Sequence, residues 1–589
     1  MSRIAIAYLA VAAALQAGVQ LDGERRRWEP VTLTFDGPQA SESGDPNPFR
    51  DFRLTVTFEH DASGRSLTAP GYFAADGKAG ESSAEGGNQW RVHFAPPLEG
   101  EWHWTASLRA GIDVALSGDP GAGKAVPLDP SRGSFTASAG TGKGMLEYVG
   151  GHYLRWAGTG EYYLKGGADS PENFLAYADF DQTFDKDADS GSYKKVGPFI
   201  HKYQPHVRDW KQGDPSWKGG KGKGIIGALN YLASKGANSV YFLTYNLDGG
   251  DGRDTWMWSS PDVRDRFDVS KLDQWEIVFR HMDRLGIMLH VVTQETENDG
   301  NLGGGYGLNP IRKLYLRELA ARYSHHAALI WNLGEENDTP DADRKQIAAY
   351  IRSQDAYRHP ITVHTHNNRA LTTYTRLLGN PNFEATSIQG SMRNYHREAL
   401  ILRARSAEAG RKWAIFGDEQ QTASKGVVPD ADDPGHDEPR IHALWGNLMG
   451  GGAGVEWYFG SNYAHMDINC EDFRSRDILW GQTRHALDFF RTHLRFWEMT
   501  PRDEMILSGA MGRVFAQGDQ TIAVQLPAGG ETRLQLAKGS YRVKWFDPRK
   551  GGALVKGSKE MVEGPGEVSI GLPPGDTDRD WVALLDRKE

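Results

Sequence analysis

The chain has 589 residues, of which 39% are hydrophobic and 24% are charged, and its formal net charge at pH 7 is −10. This length exceeds what one hydrophobic core accommodates, so two to four domains are expected, and the negative charge without a dense basic cluster argues against nucleic-acid binding. The single cysteine, Cys470, excludes a disulfide within the chain and a cysteine-rich zinc site.

The N-terminal residues MSRIAIAYLAVAAALQAG combine one arginine with an apolar run from Ile4 to Leu15 and small residues near Ala17. This pattern is typical of a short secretory signal peptide, and the run is too short to span a bilayer comfortably. A buried N-terminal helix is the alternative, but the polar DGERRR that follows favours the signal peptide. We therefore predict a signal peptide over residues 1–20, a secreted or periplasmic protein and no membrane span.

Residues 28–140 alternate apolar and polar side chains, which is the period of half-buried β-strands. The clearest segments are VTLTFDGP, FRLTVTFEHD, NQWRVHFAPP and EWHWTASLRA, and Gly, Pro and Asp separate them. This spacing predicts an N-terminal β-sandwich.

Residues 145–497 have a different pattern, in which apolar strand-like runs alternate with amphipathic helical stretches such as LDQWEIVFRHMDRLG. The eight runs are YYLKGGA, ANSVYFLTYN, GIMLHVVTQE, AALIWNLGEE, PITVHTH, ATSIQG, KWAIFGDEQ and GVEWYFG. Eight strands with helices between them predict a (β/α)8 TIM barrel.

Strand-like alternation returns in residues 500–589, in QTIAVQLP, GSYRVKWFDPR, GEVSIGL and WVALLD, and predicts a small C-terminal β-sandwich. The predicted fold is therefore multidomain, α/β plus all-β, with a central (β/α)8 TIM barrel flanked by N-terminal and C-terminal β-sandwiches.

Two of the barrel strands are predicted to end in pairs of acids, at the edge of such barrels where the chemistry takes place. The fourth run ends in Glu335 and Glu336, and the seventh in Asp418 and Glu419. Two carboxylates across a barrel mouth suit glycoside hydrolysis, since one protonates the leaving oxygen and the other attacks the anomeric carbon or activates water. The proton donor needs a raised pKa, which a neighbouring carboxylate helps to provide. Structural, salt-bridged acids are the alternative.

Alternation of side chains along a strand bears on which acid of each pair points inward. The bulky apolar residues of the fourth run share a face with Glu335 and are expected to pack outward against helices. Glu336 is then the inward acid, unless a bulge intervenes at the strand end. Alternation does not decide between Asp418 and Glu419.

The strings WNLGEEN on the fourth run and FGDEQ on the seventh resemble the clan A glycoside hydrolases, the barrel superfamily that includes family 5. The resemblance implies a retaining mechanism, with Glu336 as acid/base, Glu419 as nucleophile and Trp457 as a sugar platform. The clan usually has Asn where this chain has Glu335. Contacts near the sugar 2-hydroxyl are therefore expected to differ, or Glu335 takes the acid role itself.

Longer strings resemble one group of bacterial glycosidases. EPVTLTFDGP and PGYFAADG are similar to an N-terminal sandwich domain of unknown function that precedes many of their barrels, and KGGADSPENFLAYADFDQT and ALWGNLMGGGAGVEWYFG are similar to the barrels themselves. YRVKWFDPRKGG resembles a C-terminal module named a collagen-binding domain. These likenesses imply an architecture rather than a substrate.

Metal and cofactor sites are not predicted. The sequence has no His-Glu-x-x-His zinc motif and no Gly-x-Ser-x-Gly elbow. The acidic string DKDADSG at 185–191 resembles a calcium loop, but Val196 stands where an EF-hand needs Glu.

The sequence thus predicts a retaining glycoside hydrolase that acts on a poly- or oligosaccharide, with catalytic residues Glu336 and Glu419 and without a cofactor. The predicted substrate-binding residues are Glu335, His366, Gln389, Trp457, Lys165 and Tyr245. His364 and Asp169 are further candidates, and pairing with each other is the alternative role of Lys165 and Asp169. The alternative function is a non-catalytic glycan- or matrix-binding protein on the same scaffold. The sequence predicts neither the sugar nor the oligomeric state.

Overall fold

The computed structural model of the protein describes residues 18–186, 200–249 and 252–588. Most of the predicted signal peptide and of the acidic string at 185–191 lies outside these residues. Across the part of the chain that is described, no helix combines the length and the apolar character that a membrane crossing requires.

The N-terminal region consists of two antiparallel sheets. One has the strand order β1-β2-β6-β5, and the other has the order β4-β3-β7-β8, with β9 also paired to β7. Its strands and its one short helix are β1 (Gln20–Asp22), β2 (Val31–Ser41), β3 (Phe52–His60), β4 (Ser66–Pro70), β5 (Tyr72–Phe73), α1 (Ala79–Ser82), β6 (Gly86–Phe94), β7 (Gly100–Ala110), β8 (Lys124–Val126) and β9 (Arg132–Ala137). Aromatic rings join the two sheets: Phe58 stacks on Phe94 at 3.9 Å between ring centroids, and Phe35 meets Trp104 edge-on.

The central region begins with a hairpin and continues as β/α units. The hairpin strands are β10 (Leu146–Tyr148) and β11 (Leu154–Trp156). The strands of the central sheet are β12 (Lys165–Ala168), β13 (Ser239–Leu243), β14 (Met288–Val292), β15 (Leu329–Asn332), β16 (Ile361–Thr362), β17 (Ile388–Ser391), β18 (Phe416–Gln421) and β19 (Gly454–Trp457). The helices are α2 (Lys223–Lys235), α3 (Val269–Leu285), α4 (Pro310–Tyr323), α5 (Asp341–Gln354), α6 (Ala370–Thr375), α7 (Tyr395–Glu408), α8 (Trp445–Met449) and α9 (Asp477–His493).

The eight described strands of the central sheet are parallel and follow the order β16-β15-β14-β13-β12-β19-β18-β17. The two ends of this order approach each other, since a parallel bridge joins His364 after β16 to Ser387 before β17. This arrangement is that of a TIM-like barrel, and it brings the carboxyl ends of all these strands to one edge.

The C-terminal region forms one antiparallel sheet with the order β20-β22-β23-β26-β24-β21, and β25 pairs with β24. Its strands are β20 (Thr500–Pro501), β21 (Ile506–Gly509), β22 (Arg513–Gln517), β23 (Thr521–Leu526), β24 (Thr532–Phe546), β25 (Met561–Ser569) and β26 (Trp581–Arg587). A register shift between Leu536 and Gly539 interrupts the long strand β24, as a β-bulge does, and the region has its own core around Trp545.

The N-terminal sheets and the barrel share one continuous hydrophobic core. Helix α4 docks on the sheets through buried guanidinium groups: Arg317 donates to the carbonyl oxygens of Gly71 and Leu54, and Arg322 donates to that of Phe73. Because the core runs across this junction, the boundary between residues 140 and 145 stays a prediction from sequence.

A buried ion pair attaches the C-terminal sheet to the barrel. Arg440 makes a two-pronged contact with Asp580 at 3.0 and 2.8 Å, and both side chains are fully buried. We expect Arg440→Met to lower the free energy of unfolding by about 3–5 kcal/mol, since it leaves the Asp580 charge buried without its main partner. The measurement is chemical denaturation followed by fluorescence.

The matched control for this prediction is Arg579→Met. Arg579 pairs with Asp437 at the surface, with side chains 45% and 47% exposed, so its loss is expected to cost less than about 1 kcal/mol. Equal effects of the two substitutions would contradict a structural role for the buried pair.

Candidate active site

Acidic side chains from neighbouring strand ends meet at the carboxyl edge of the barrel. Glu335 and Glu336 follow β15, Glu419 lies in β18, and Gln389 lies beside it in β17. A register shift at the start of β17 places Gln389 directly alongside Glu419. The Nε2 of Gln389 donates to Oε1 of Glu336 at 2.6 Å and to Oε2 of Glu419 at 2.5 Å. The carboxyl groups of Glu336 and Glu419 therefore face the same amide nitrogen.

The fourth strand ends earlier than the sequence pattern predicts. β15 stops at Asn332, and the backbone then has positive φ angles of 134° at Gly334 and 38° at Glu336. A Cβ at Gly334 would lie 2.4 Å from the side-chain nitrogen of Gln294, so only glycine fits there. The alternation that favoured Glu336 over Glu335 does not extend past Asn332, and both acids turn toward the mouth.

Glu335 is a buried acid among other acids. Its Oε1 lies 2.9 Å from Nδ1 of His364, and its side chain is 3% exposed. Burial raises the pKa of Glu335 well above its ordinary value, and the nearby Glu295, which also hydrogen-bonds to it, and Glu336 raise it further. Burial and the neighbouring acids therefore favour the neutral form of the Glu335 carboxyl group.

Glu336 is more open to solvent, with a side chain that is 31% exposed. Burial alone would raise its pKa, but hydrogen bonds from His366 and Gln389 outweigh burial and lower the pKa below its ordinary value. His366 lies 3.3 Å from Glu336 and 2.8 Å from Asp338, and these acids raise the pKa of His366 to about 9. The expectation that a neighbouring acid raises the pKa of the proton donor thus applies to Glu335 and not to Glu336.

Lys165 lies inside the barrel rather than at its mouth. Its Nζ is 2.5 Å from Asp418 and 3.0 Å from Glu456, all three side chains are fully buried, and His290 completes the cluster at 2.7 Å from Glu456. The substrate-binding role predicted for Lys165 and its pairing with Asp169 are therefore both wrong, because the residue begins β12, at the strand's opposite end. The same cluster uses Asp418, which leaves Glu419 as the acid of its pair that faces the mouth.

Trp457 and Tyr245 are packed into the fold. Trp457 is fully buried, and its Nε1 donates to Thr483 in α9 at 2.9 Å, so it faces a helix and offers no ring face to a sugar. The structure therefore corrects the prediction that Trp457 is a sugar platform. Tyr245 is also fully buried, donates to Asp248 at 2.9 Å and packs edge-on against Trp258, which orders the loop after β13.

Two further acids, Glu295 and Asp169, lie at the mouth. Glu295 lies near the end of the third run and hydrogen-bonds to Glu335. Its position at a predicted strand end could have identified it as a site residue from the sequence. Asp169 follows β12, is fully buried, and within residues described by the structure neither of its carboxyl oxygens has a hydrogen-bond partner. Burial, followed by the nearby Glu419, raises the pKa of Asp169 well above its ordinary value.

Three buried carboxyl groups at the mouth, those of Glu172, Glu295 and Glu335, approach one another within the distance that a metal ion would allow. Within this group, Glu295 also hydrogen-bonds to Glu335.

Comparison with known proteins agrees with this architecture. Residues 24–109 match a domain of unknown function, DUF5060, which confirms the predicted N-terminal domain of that kind. No curated protein matches the chain at a significant level. The resemblance of the C-terminal region to a collagen-binding domain stays a prediction.

Among solved structures, the chain is similar to a candidate glycoside hydrolase from Bacteroides vulgatus, with a TM-score of 0.62 and 15% identity over 96% of this chain and 99% of the other. A glycoside hydrolase of family 5 from the same organism gives a TM-score of 0.52 and 14% identity over 76% and 93% of the two chains. A third structure, described as a glycoside hydrolase, gives 0.52 and 13% over 76% and 97%. At these identities the likeness shows the fold alone.

Proposed function

We propose that the protein is a retaining glycoside hydrolase that acts on a poly- or oligosaccharide, with Glu419 as nucleophile and Glu336 as acid/base. The observation that carries this proposal is the amide nitrogen of Gln389, which bonds to both acids at 2.6 and 2.5 Å. The distance between Oε1 of Glu336 and Oε2 of Glu419 therefore cannot exceed the sum of these two hydrogen-bond lengths. Retaining pairs stand about 5–5.5 Å apart, whereas inverting pairs stand about 6.5–9.5 Å apart to admit a water molecule.

The surroundings of Glu419 suit a nucleophile, and an open cavity lies beside Glu336. Glu419 is 3% exposed and accepts hydrogen bonds from the amides of Gln389 and Gln421, which orient its carboxylate. Glu336 borders an open cavity of about 600 Å³, lined also by His366, Arg369 and other residues of the loops after β15 and β16. That cavity offers space for the leaving group beside the proton donor.

The proposed reaction has two balanced steps. In the first, a carboxylate oxygen of Glu419 bonds to the anomeric carbon while the bond to the leaving oxygen breaks, and Glu336 transfers its proton to that oxygen. In the second, Glu336 takes a proton from water, the water oxygen bonds to the anomeric carbon, and the bond to Glu419 breaks. The chain's own side chains suffice for both steps.

The proposal is tested by measuring reducing-end release from a panel of plant, algal and bacterial polysaccharides. Wild type should release reducing ends from at least one polysaccharide, and the double variant Glu336→Gln/Glu419→Gln should release none. If wild type releases no reducing ends from any polysaccharide of the panel but binds a glycan in a pull-down, the non-catalytic binding protein is supported instead.

The pH dependence of the reaction should respond to His366. Because His366 holds the pKa of Glu336 low, the alkaline limb of kcat/KM, which reports the protonated acid in the free enzyme, is expected at acidic pH. His366→Ala removes this hydrogen bond, so the pKa of Glu336 rises and the alkaline limb moves to higher pH. The measurement is kcat/KM between pH 4 and pH 9, and an unmoved limb would contradict the role of His366.

A further inference from the structure

His364 lies between Glu335, an acid that the proposed reaction does not use, and Glu419, the proposed nucleophile. Its ring is fully buried after β16. Nδ1 lies 2.9 Å from Oε1 of Glu335, and Nε2 lies 3.7 Å from Oε2 of Glu419. The imidazole therefore hydrogen-bonds to Glu335 through Nδ1 and faces Glu419 with Nε2, which has no hydrogen-bond partner among the described residues. Its effect on Glu419 depends on which nitrogen carries the hydrogen.

The backbone decides which nitrogen carries the hydrogen. The N–H of Glu336 also points to Nδ1 of His364, at 3.5 Å, and a backbone amide can only donate. Nδ1 must then offer a lone pair. Burial lowers the pKa of His364 to about 3, so the ring is neutral and its one hydrogen is on Nε2. The contact between Nδ1 and Glu335 is consequently a bond that the carboxylic acid donates.

We propose that Glu335 is a positioning residue that stays protonated, donates to Nδ1 of His364 and so fixes the tautomer whose Nε2–H points at Glu419. This inference rests on the proposed function for its catalytic consequence. In the second step Glu419 leaves as a carboxylate, and an N–H aimed at it stabilises the returning charge, whereas a lone pair there would repel it. The gap of 3.7 Å is long for a hydrogen bond, but such contacts often tighten only when the reacting complex forms.

The surroundings of Glu335 favour its neutral form from several elements of the barrel. The ionisable groups around it are Glu172, Glu295, Glu336, Glu419, Tyr241 and His364. All but His364 are acids or a buried phenol, and His364 is uncharged. Ionised Glu335 would therefore lie among like charges in a buried site, which is the least favourable place for a second negative charge.

The direct test is the position of the hydrogens in the wild-type protein without substrate, measured by neutron diffraction from deuterated crystals at neutral pH. The proposal predicts deuterium on Nε2 of His364 and on the carboxyl group of Glu335. Deuterium on Nδ1 facing a bare Glu335 carboxylate would overturn it. This measurement needs no activity, so its failure is distinct from failure of the proposed glycosidase function, which a silent polysaccharide panel would show.

The kinetic test compares two substitutions at the same position. Glu335→Gln keeps a neutral donor for Nδ1 and should retain most of kcat. Glu335→Met fills similar space without a donor and should lower kcat by about a hundredfold, the order found when one electrostatic donor is removed. Glu297→Met, on an exposed acid of the neighbouring loop, is the matched control and should behave as wild type. Equal losses for Gln and Met, or none for Met, would overturn the proposal.

Discussion

Replacing Glu419 with Gln is expected to lower kcat by about 10⁴-fold or more, because a residue that forms the covalent intermediate has no substitute within the site. The amide of Gln has nearly the same shape as the carboxylate, so the fold should persist. The buried ion pair of the adjacent Asp418 with Lys165 should be undisturbed. The measurement is initial-rate hydrolysis of the best substrate from the polysaccharide panel.

Circular dichroism and thermal unfolding of Glu419→Gln serve as the control for folding. A folded variant that lacks activity supports the nucleophile assignment. A folded variant with wild-type activity would contradict the assignment of Glu419 as nucleophile. It would instead favour Asp169, the other buried acid near Glu419.

Replacing Glu336 with Ala should have an effect that depends on the leaving group. Hydrolysis of a natural oligosaccharide is expected to fall by about 10²–10⁴-fold, since the leaving oxygen then departs without general acid catalysis. The first step on an aryl glycoside with a good leaving group should be nearly unaffected, because that group needs no proton. The measurement is the burst of phenol release and the steady-state rate for both substrates.

A small anion provides the control for this variant. Added azide can attack the glycosyl–Glu419 intermediate without base catalysis, so it should restore turnover of the aryl glycoside by Glu336→Ala. Equal losses on both substrates, with no effect of azide, would contradict the acid/base role and favour Glu335 for it.

Much of the fold was accessible from the sequence because periodicity reports how a segment is buried. The runs that end in Leu243 and Val292 are largely apolar, as strands covered on both faces must be. The C-terminal region was harder. Its alternation predicted the antiparallel strands of a sandwich, but alternation does not encode pairing partners. That all its described strands join in one sheet along β24 is therefore known only from the structure.

The site was predicted only to the level of strand ends. The meeting of Glu336, Gln389 and Glu419 follows from parallel strands whose carboxyl ends share one edge. The errors at Lys165 and Trp457 arise from contacts across the barrel and with α9, which no local pattern contains. The orientation of Glu335 and Glu336 depends on the positive φ angles after Asn332, which alternation cannot represent.

The most direct test of the proposed pair is the anomeric configuration of the first product, followed by proton NMR in the first moments of hydrolysis of the substrate that the panel identifies. The closeness of Glu336 and Glu419 across Gln389 predicts that the first product keeps the configuration of the bond that was cleaved. A first product of inverted configuration would contradict the covalent mechanism, since it requires a water molecule where the structure places the two acids on one shared nitrogen.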